Sequence, residues 1–324
     1  MKLFICALLF AAASLCARAD TLLLHSPSVL VYDVARGEVL LEKNADDVRP
    51  IASLTKLMTA MVVIDNAQAM ADTLTIDDAD IDRLKHSGSR LPVGASLDRE
   101  EMLRLALMSS ENRAASALSR SFPGGQSAFI QQMNLKAHAL HMTDTHFDDP
   151  TGLSPDNVST ARDVARMANA ASHYPMISSF TTLTAYEQAI GSRTRFYHNT
   201  DPVVRWADWD VQLAKTGYTR EAGRCIVADV AMPGGPLIIA LLGARTSGAR
   251  AADLAAIRNW LNGDQPPVAV PRMYYVSARS HHHHRAIASQ AQRVKVRFAS
   301  WRTVSAVPSR RHASHRISAS QPGA

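Results

Sequence analysis

Cysteine is nearly absent. Of three in 324 residues, Cys6 and Cys16 fall in an apolar leader and only Cys225 lies beyond it, so no disulfide can form within a processed chain. Cys225 sits in the apolar run Arg224-Cys225-Ile226-Val227 and reads as a small buried hydrophobe. Long apolar runs are missing from the interior, which excludes a multi-span membrane protein. Acidic residues are missing from 272–324, where there are ten Arg or Lys. With Lys2 and Arg18 also set aside, 20–271 holds 23 basic against 29 acidic residues, a net of −6. The whole-chain charge of +6 therefore comes from the tail, and the body offers no basic surface for nucleic acid. Internal repeats are also absent.

At 47% hydrophobic the chain can build a sizeable core, as one large domain or about two compact ones. Lys2, the 14-residue apolar stretch Leu3–Cys16 and the small-residue site Ala17-Arg18-Ala19 predict a signal peptide over 1–19, with processing before Asp20. Leu15 before Cys16 is too large for a lipid-modification site. The expected location is outside the cytoplasm, in the periplasm. A catalytic body over 20–271 and a basic, mostly disordered tail over 272–324 complete the expected organisation.

Ser28–Asp33 and Glu38–Glu42 flank Ala35-Arg36-Gly37 and predict a β-hairpin. After Pro50, Leu54, Leu57, Met58, Met61, Val62 and Ile64 recur at helical spacing, so a helix apolar nearly all round starts near Ala52 or Ser53. Asp98 with Glu101 forms a capping box ahead of a helix ending at Ser109-Ser110. Further helices are expected over Asn112–Ser121, over Ala161–Ala171 behind Ser159-Thr160, and over Arg250–Leu261. The stretch 53–200 reads as largely helical. Strands return at Trp209–Thr216, Gly223–Met232 and Pro236–Ala244, with Pro233-Gly234-Gly235 as a hairpin turn. The order predicts an α+β fold: an antiparallel sheet flanked by helices, with a mainly helical lobe beside it.

Three short motifs occur in order. Ser53-Leu54-Thr55-Lys56 puts a hydroxyl and an amine on one helical face. A serine needs a base, and a lysine in a dry, cation-rich pocket can lose its proton and serve as one. Ser110-Glu111-Asn112 lies between two helices; Ser110 can relay a proton, and Asn112 can hold Lys56 and a substrate backbone. Asn112 could equally cap the following helix. Lys215-Thr216-Gly217 ends a strand whose edge can accept a peptide as an added strand. Lys215 and Thr216 can bind its terminal carboxylate, and Gly217 permits close approach. Each triplet alone is commonplace. Together, in these contexts, they form the signature of class A β-lactamases and penicillin-binding proteins.

Residues 28–263 resemble the D-alanyl-D-alanine carboxypeptidase family of low-molecular-mass penicillin-binding proteins, and within it an endopeptidase-like branch. The likeness rests on Met108–Ala115, Tyr197–Thr200, Asp208-Trp209-Asp210, Lys215–Tyr218 and Glu221–Cys225. It implies the serine β-lactamase/transpeptidase-like fold, peptidoglycan stem peptides as substrates, β-lactams as covalent inhibitors, and no cofactor or metal. Ser53 would be acylated, with Lys56 as its base and Ser110 assisting proton transfer. Asn112, Lys215, Thr216, Gly217, Tyr218 and Arg250 would line the substrate cleft. The backbone N–H groups of Ser53 and Tyr218 would form the oxyanion hole. Lys56 is expected neutral and Lys215 charged.

Two rivals share the motifs. A class A β-lactamase deacylates with a glutamate-held water, and between Asn112 and Lys215 the sole glutamate is Glu187, with no matching asparagine pattern. An acylated but non-catalytic sensor would keep Ser53 and Lys56. In the tail, His281–His284 reads as a solvated low-complexity run rather than a metal site. Ile287, Ala291, Val294, Phe298 and Trp301, spaced by four and three among arginines, could form a basic amphipathic helix for an anionic membrane or cell-wall surface. Val294–Phe298 also alternates like a strand.

Overall fold

The computed structural model describes residues 22–206, 209–263 and 295–296. The signal-peptide reading, Asp208, the histidine run and the tail readings other than the 295–296 strand lie outside these residues. Strands β1 (Ser28–Asp33) and β2 (Glu38–Lys43) form the expected hairpin, and β3 (Arg49–Pro50) follows. Helix α1 (Thr55–Asp65) comes after a single 3-10 turn over Ala52–Leu54. Next are β4 (Thr73–Thr75), β5 (Ser96–Asp98), α2 (Arg99–Met108), α3 (Asn112–Arg120) and α4 (Gly125–Ala139). Then come β6 (Val158–Ser159), α5 (Ala161–Ser172), α6 (Pro175–Thr182), β7 (Ala185–Ile190) and β8 (Arg193–His198). The chain closes with β9 (Asp210–Thr219), β10 (Gly223–Met232), β11 (Gly235–Ala244), α7 (Ser247–Leu261) and β12 (Lys295–Val296).

The α+β expectation holds. Six strands pair antiparallel in the order β12-β2-β1-β11-β10-β9, so the chain's early and late strands meet at β1 and β11. Alternation along these strands feeds two cores. Leu30, Val227, Ile238 and Ala240 face the helical lobe with Leu54, Leu57, Met58 and Met61. Val29, Val31, Ile226, Ala228, Ile239 and Leu241 face the other way, against Leu254 and Ile257 of α7. Buried on nine of its eleven residues, α1 is the hub of the lobe, as its all-round apolar pattern requires. Fully burying one such leucine contributes roughly 1.5–3 kcal/mol.

The caps read from the sequence are present. Asp98 and Glu101 exchange both capping-box bonds, and Thr160 accepts from the Asp163 N–H. The stretch 53–200 carries helices α1 to α6 and, beside them, the short strands β4, β5 and β6 and a separate antiparallel hairpin of β7 and β8 that the sequence reading did not place. The hairpin's strands are mostly exposed, with Gln188, Ile190 and Tyr197 turned inward, so the apolar alternation is too sparse to announce them. Glu187 lies exposed on β7.

Candidate active site

The site forms where α1 starts, between the helical lobe and β9. Ala52, just before Ser53, has φ +48°, a left-handed conformation that costs an alanine on the order of 1 kcal/mol or more. Two glycines hold it there. A Cβ on Gly152 would lie 2.0 Å from the Ala52 carbonyl oxygen and 2.9 Å from the Ser53 nitrogen. A Cβ on Gly217 would lie 2.8 Å from the Ile51 oxygen and 3.0 Å from that same Ser53 nitrogen. The peptide leading into Ser53 therefore runs in a slot that admits no side chain on either wall.

Lys56 is fully buried one turn on. Its Nζ donates to Ser53 Oγ at 2.9 Å, Asn112 Oδ1 at 2.8 Å and the Thr151 carbonyl at 2.6 Å. Burial pulls its pKa down to about 8, against the opposing charges of Asp149 and Glu111. A lysine so placed reaches its neutral form near physiological pH, beside the hydroxyl it would deprotonate.

Asn112 is the first residue of α3, but its amide is not a cap. The N-cap is Glu111, without a side-chain cap bond. The Asn112 amide instead spans the cleft floor, accepting from Lys56 and donating to Ser87 Oγ at 2.9 Å. Ser110 also takes a left-handed conformation, φ +59°, at the break between α2 and α3. Its hydroxyl makes no hydrogen bond among the described residues, so neither lysine is joined to it here. Glu111 is buried and accepts from Ser89 Oγ.

On the opposite wall, Lys215-Thr216-Gly217 lies within β9, two residues before its end. Antiparallel alternation turns successive side chains to opposite faces, and β9 is the terminal strand of its sheet. Lys215 is fully buried, and its Nζ donates to the Thr216 carbonyl at 3.0 Å. Burial pushes its pKa to about 7; Lys56 and Arg250 add to the effect and Asp201 opposes it. Burial depresses both lysines, so it does not by itself separate the neutral Lys56 from the charged Lys215 expected from the sequence.

Thr216 Oγ1 and Thr200 Oγ1 are 3.0 Å apart, and the Thr200 N–H donates to the Met108 carbonyl at 3.1 Å, next to the middle motif. Arg250 sits in the first turn of α7, buried, and donates to the Cys225 carbonyl at 3.1 Å. Burial lowers its pKa. The Tyr218 ring is half exposed, with the Arg224 guanidinium 3.6 Å from its centroid. Cys225 is buried and its thiol is pushed up to about 11 by burial, as a structural hydrophobe requires.

Sequence reasoning missed the loop over 149–157. Asp149 accepts from the N–H groups of Thr151, Gly152 and Ser154, fixing the turn that presents the Thr151 carbonyl to Lys56. Asn157 ties the same loop to α1 through Thr55 Oγ1 at 3.0 Å. The cluster of Asp, Pro, Gly and Ser there signals a turn, yet its work is done by backbone atoms, which carry no motif. Asp201 was missed too. It is fully buried, Oδ2 has no partner, and burial raises its pKa against the charges of Arg250 and Lys215.

Comparison with known proteins agrees with this geometry. The sequence profile of the family described as D-alanyl-D-alanine carboxypeptidase matches residues 16–246, more than half of the chain. A Pseudomonas aeruginosa protein named D-alanyl-D-alanine endopeptidase is 43% identical over 246 residues, covering 75% of this chain and 79% of its own. The Escherichia coli protein of the same name is 39% identical over 254 residues, covering 77% and 82%. Among solved structures, the Streptomyces K15 DD-transpeptidase matches with a TM-score of 0.69 at 26% identity, covering 74% of this chain and 98% of that one.

Proposed function

Because the chain belongs to the D-alanyl-D-alanine carboxypeptidase family, we propose that it is a serine D-Ala-D-Ala peptidase. It trims or cuts peptidoglycan stem peptides through an acyl-enzyme on Ser53. The observation that carries this reading is the bond from Lys56 Nζ to Ser53 Oγ, 2.9 Å long, in a buried site where Lys56 is pulled to about 8.

The steps follow from the groups present. Neutral Lys56 takes the Ser53 proton as Oγ attacks the D-Ala carbonyl. The Ser53 and Tyr218 N–H groups receive the developing oxyanion. The leaving amine is protonated from Lys56, with the unpaired Ser110 hydroxyl as the relay. The stem peptide lies along the outer edge of β9, and its carboxylate, where it has one, meets Lys215, Thr216 and Arg250. That anion raises the Lys215 pKa, so substrate itself supplies the charged state that burial withholds. Water then hydrolyses the acyl group. Glu187, the sole glutamate between Asn112 and Lys215, is exposed on β7, which argues against the glutamate-held water of a class A β-lactamase. Export to the periplasm, a body over 20–271, penicillin binding and surface attachment by the tail belong to the same reading.

Incubation with purified cross-linked and pentapeptide muropeptides, with products identified by mass, tests it. Cross-link cleavage or D-alanine release is expected. Stable penicillin labelling without turnover of either substrate would favour the non-catalytic sensor.

A further inference from the structure

The loop over 82–91 forms one rim of the cleft and is tied to the middle motif. Asp82 accepts from the N–H groups of Leu84, Lys85 and Ser87 and fixes its turn. Ser87 accepts from Asn112, Ser89 donates to Glu111, and the Leu91 carbonyl accepts from Arg113. Its only charged link to the opposite rim, among the described residues, is Lys85 Nζ to Glu221 Oε1 at 2.5 Å. Glu221 lies in the turn after β9, four residues beyond Gly217.

These contacts close a ring. It runs from Ser53 to Lys56, Asn112 and Ser87, along the loop to Lys85, across to Glu221, and back along β9 to Gly217 against the Ser53 nitrogen. Tyr218 lies on the β9 side of this ring, between Gly217 and Glu221. A stem peptide whose carboxylate sits at Lys215 and Thr216 sends its upstream arm that way along β9. A small penicillin sends only its short acylamino side chain that way.

We propose that Lys85 and Glu221 are specificity-determining residues: their ion pair straps the two rims together over the upstream arm of a stem peptide. The Lys85 ammonium holds the exposed Glu221 carboxyl below its usual range, as a standing contact requires. The inference rests on the peptidase reading for its substrate class and on the ring of contacts for its location.

The test compares Lys85→Ala, Glu221→Ala and the charge-swapped double variant Lys85→Glu with Glu221→Lys. A purified cross-linked muropeptide competes against benzylpenicillin, whose acylamino arm is short, for acylation followed by intact-protein mass. The pair is exposed, so each single variant should weaken the competitor only about three- to fivefold. The swap should restore it, and the penicillin acylation rate without competitor should stay within about twofold. Unchanged competition, stronger competition, failure of the swap, or an equal loss in penicillin acylation would each overturn the strap. Turnover of the muropeptide by the parent protein tests the peptidase reading separately, because competition is read whether or not the muropeptide is cleaved.

Discussion

The two walls of the cleft are built on different terms. On the helical wall, Lys56 has three hydrogen-bond partners, and Asn112 is held at both ends of its amide. On the strand wall, Lys215 has one backbone acceptor, Arg250 has one, and the buried Asp201 Oδ2 has none. The helical wall is complete before substrate arrives, which suits a nucleophile that must be aligned in advance. The strand wall sets two buried basic side chains near a single carboxylate, Asp201, which suits a surface that a second carboxylate completes. In the proposed mechanism, catalytic power and substrate capture are thus divided between two elements far apart in sequence.

Charge without basicity separates the walls most sharply. Arginine keeps the cation but cannot act as a base, so Lys56→Arg should slow penicillin acylation by about 10³-fold, in the range of general-base loss. Lys215→Arg should cost only about tenfold. Stopped-flow acylation with fluorescent penicillin reads both, and equal losses would erase the distinction. Next in size is the slot around Ser53. Gly152→Ala puts a methyl group 2.0 Å from the Ala52 carbonyl and forces an alanine to φ +82°. Displacement of the nucleophile by about 1 Å should cost on the order of 10²-fold in acylation rate. Gly88→Ala, with open space around it, is the control and should match the parent.

The strand wall should also weaken the fold that carries it. A lysine depressed to about 7 binds its proton less well folded than unfolded. In that window the unfolded chain holds more protons, so stability rises with pH from about 7 towards the unfolded value of 10.5. Below about 7 the charged form is buried at full cost. Lys215→Met should therefore raise the Tm by a few degrees at pH 6 while impairing acylation, and the gain should shrink towards pH 10. A lower Tm at pH 6 would mean that the cation is better partnered than its contacts indicate. The smallest effect concerns the tail. Removing 272–324 should leave acylation unchanged and weaken salt-sensitive binding to sacculi or anionic vesicles. Equal binding at low salt by both forms would assign the tail no such role.

Sequence reached the two walls unequally. Ser53, Lys56, Ser110, Asn112, Lys215 and Thr216 were legible as candidates because each would act through a side chain at a fixed short spacing, and Gly217 because it completes the third motif, on elements whose caps and periodicity were also legible. The antiparallel sheet followed from the strand–helix–strand order, whereas the place of β1 beside β11 did not. The loop over 149–157 was not legible, because Thr151 and Gly152 act through a carbonyl and through the absence of a side chain. Asp201 was hidden for another reason: a carboxylate before a proline reads as a turn residue, and its burial depends on packing from three separate parts of the chain. The β7–β8 hairpin escaped because half of each strand faces water. The full burial of both lysines was not legible either, because it depends on how the helical lobe closes against β9.

The most direct test of the account is the site of acylation. After reaction with penicillin, peptide mapping by mass spectrometry should find one adduct, on the peptide carrying Ser53, and Ser53→Ala should give none while unfolding at the parent's temperature. An adduct on Ser110, or stoichiometric labelling of a folded Ser53→Ala protein, would contradict it.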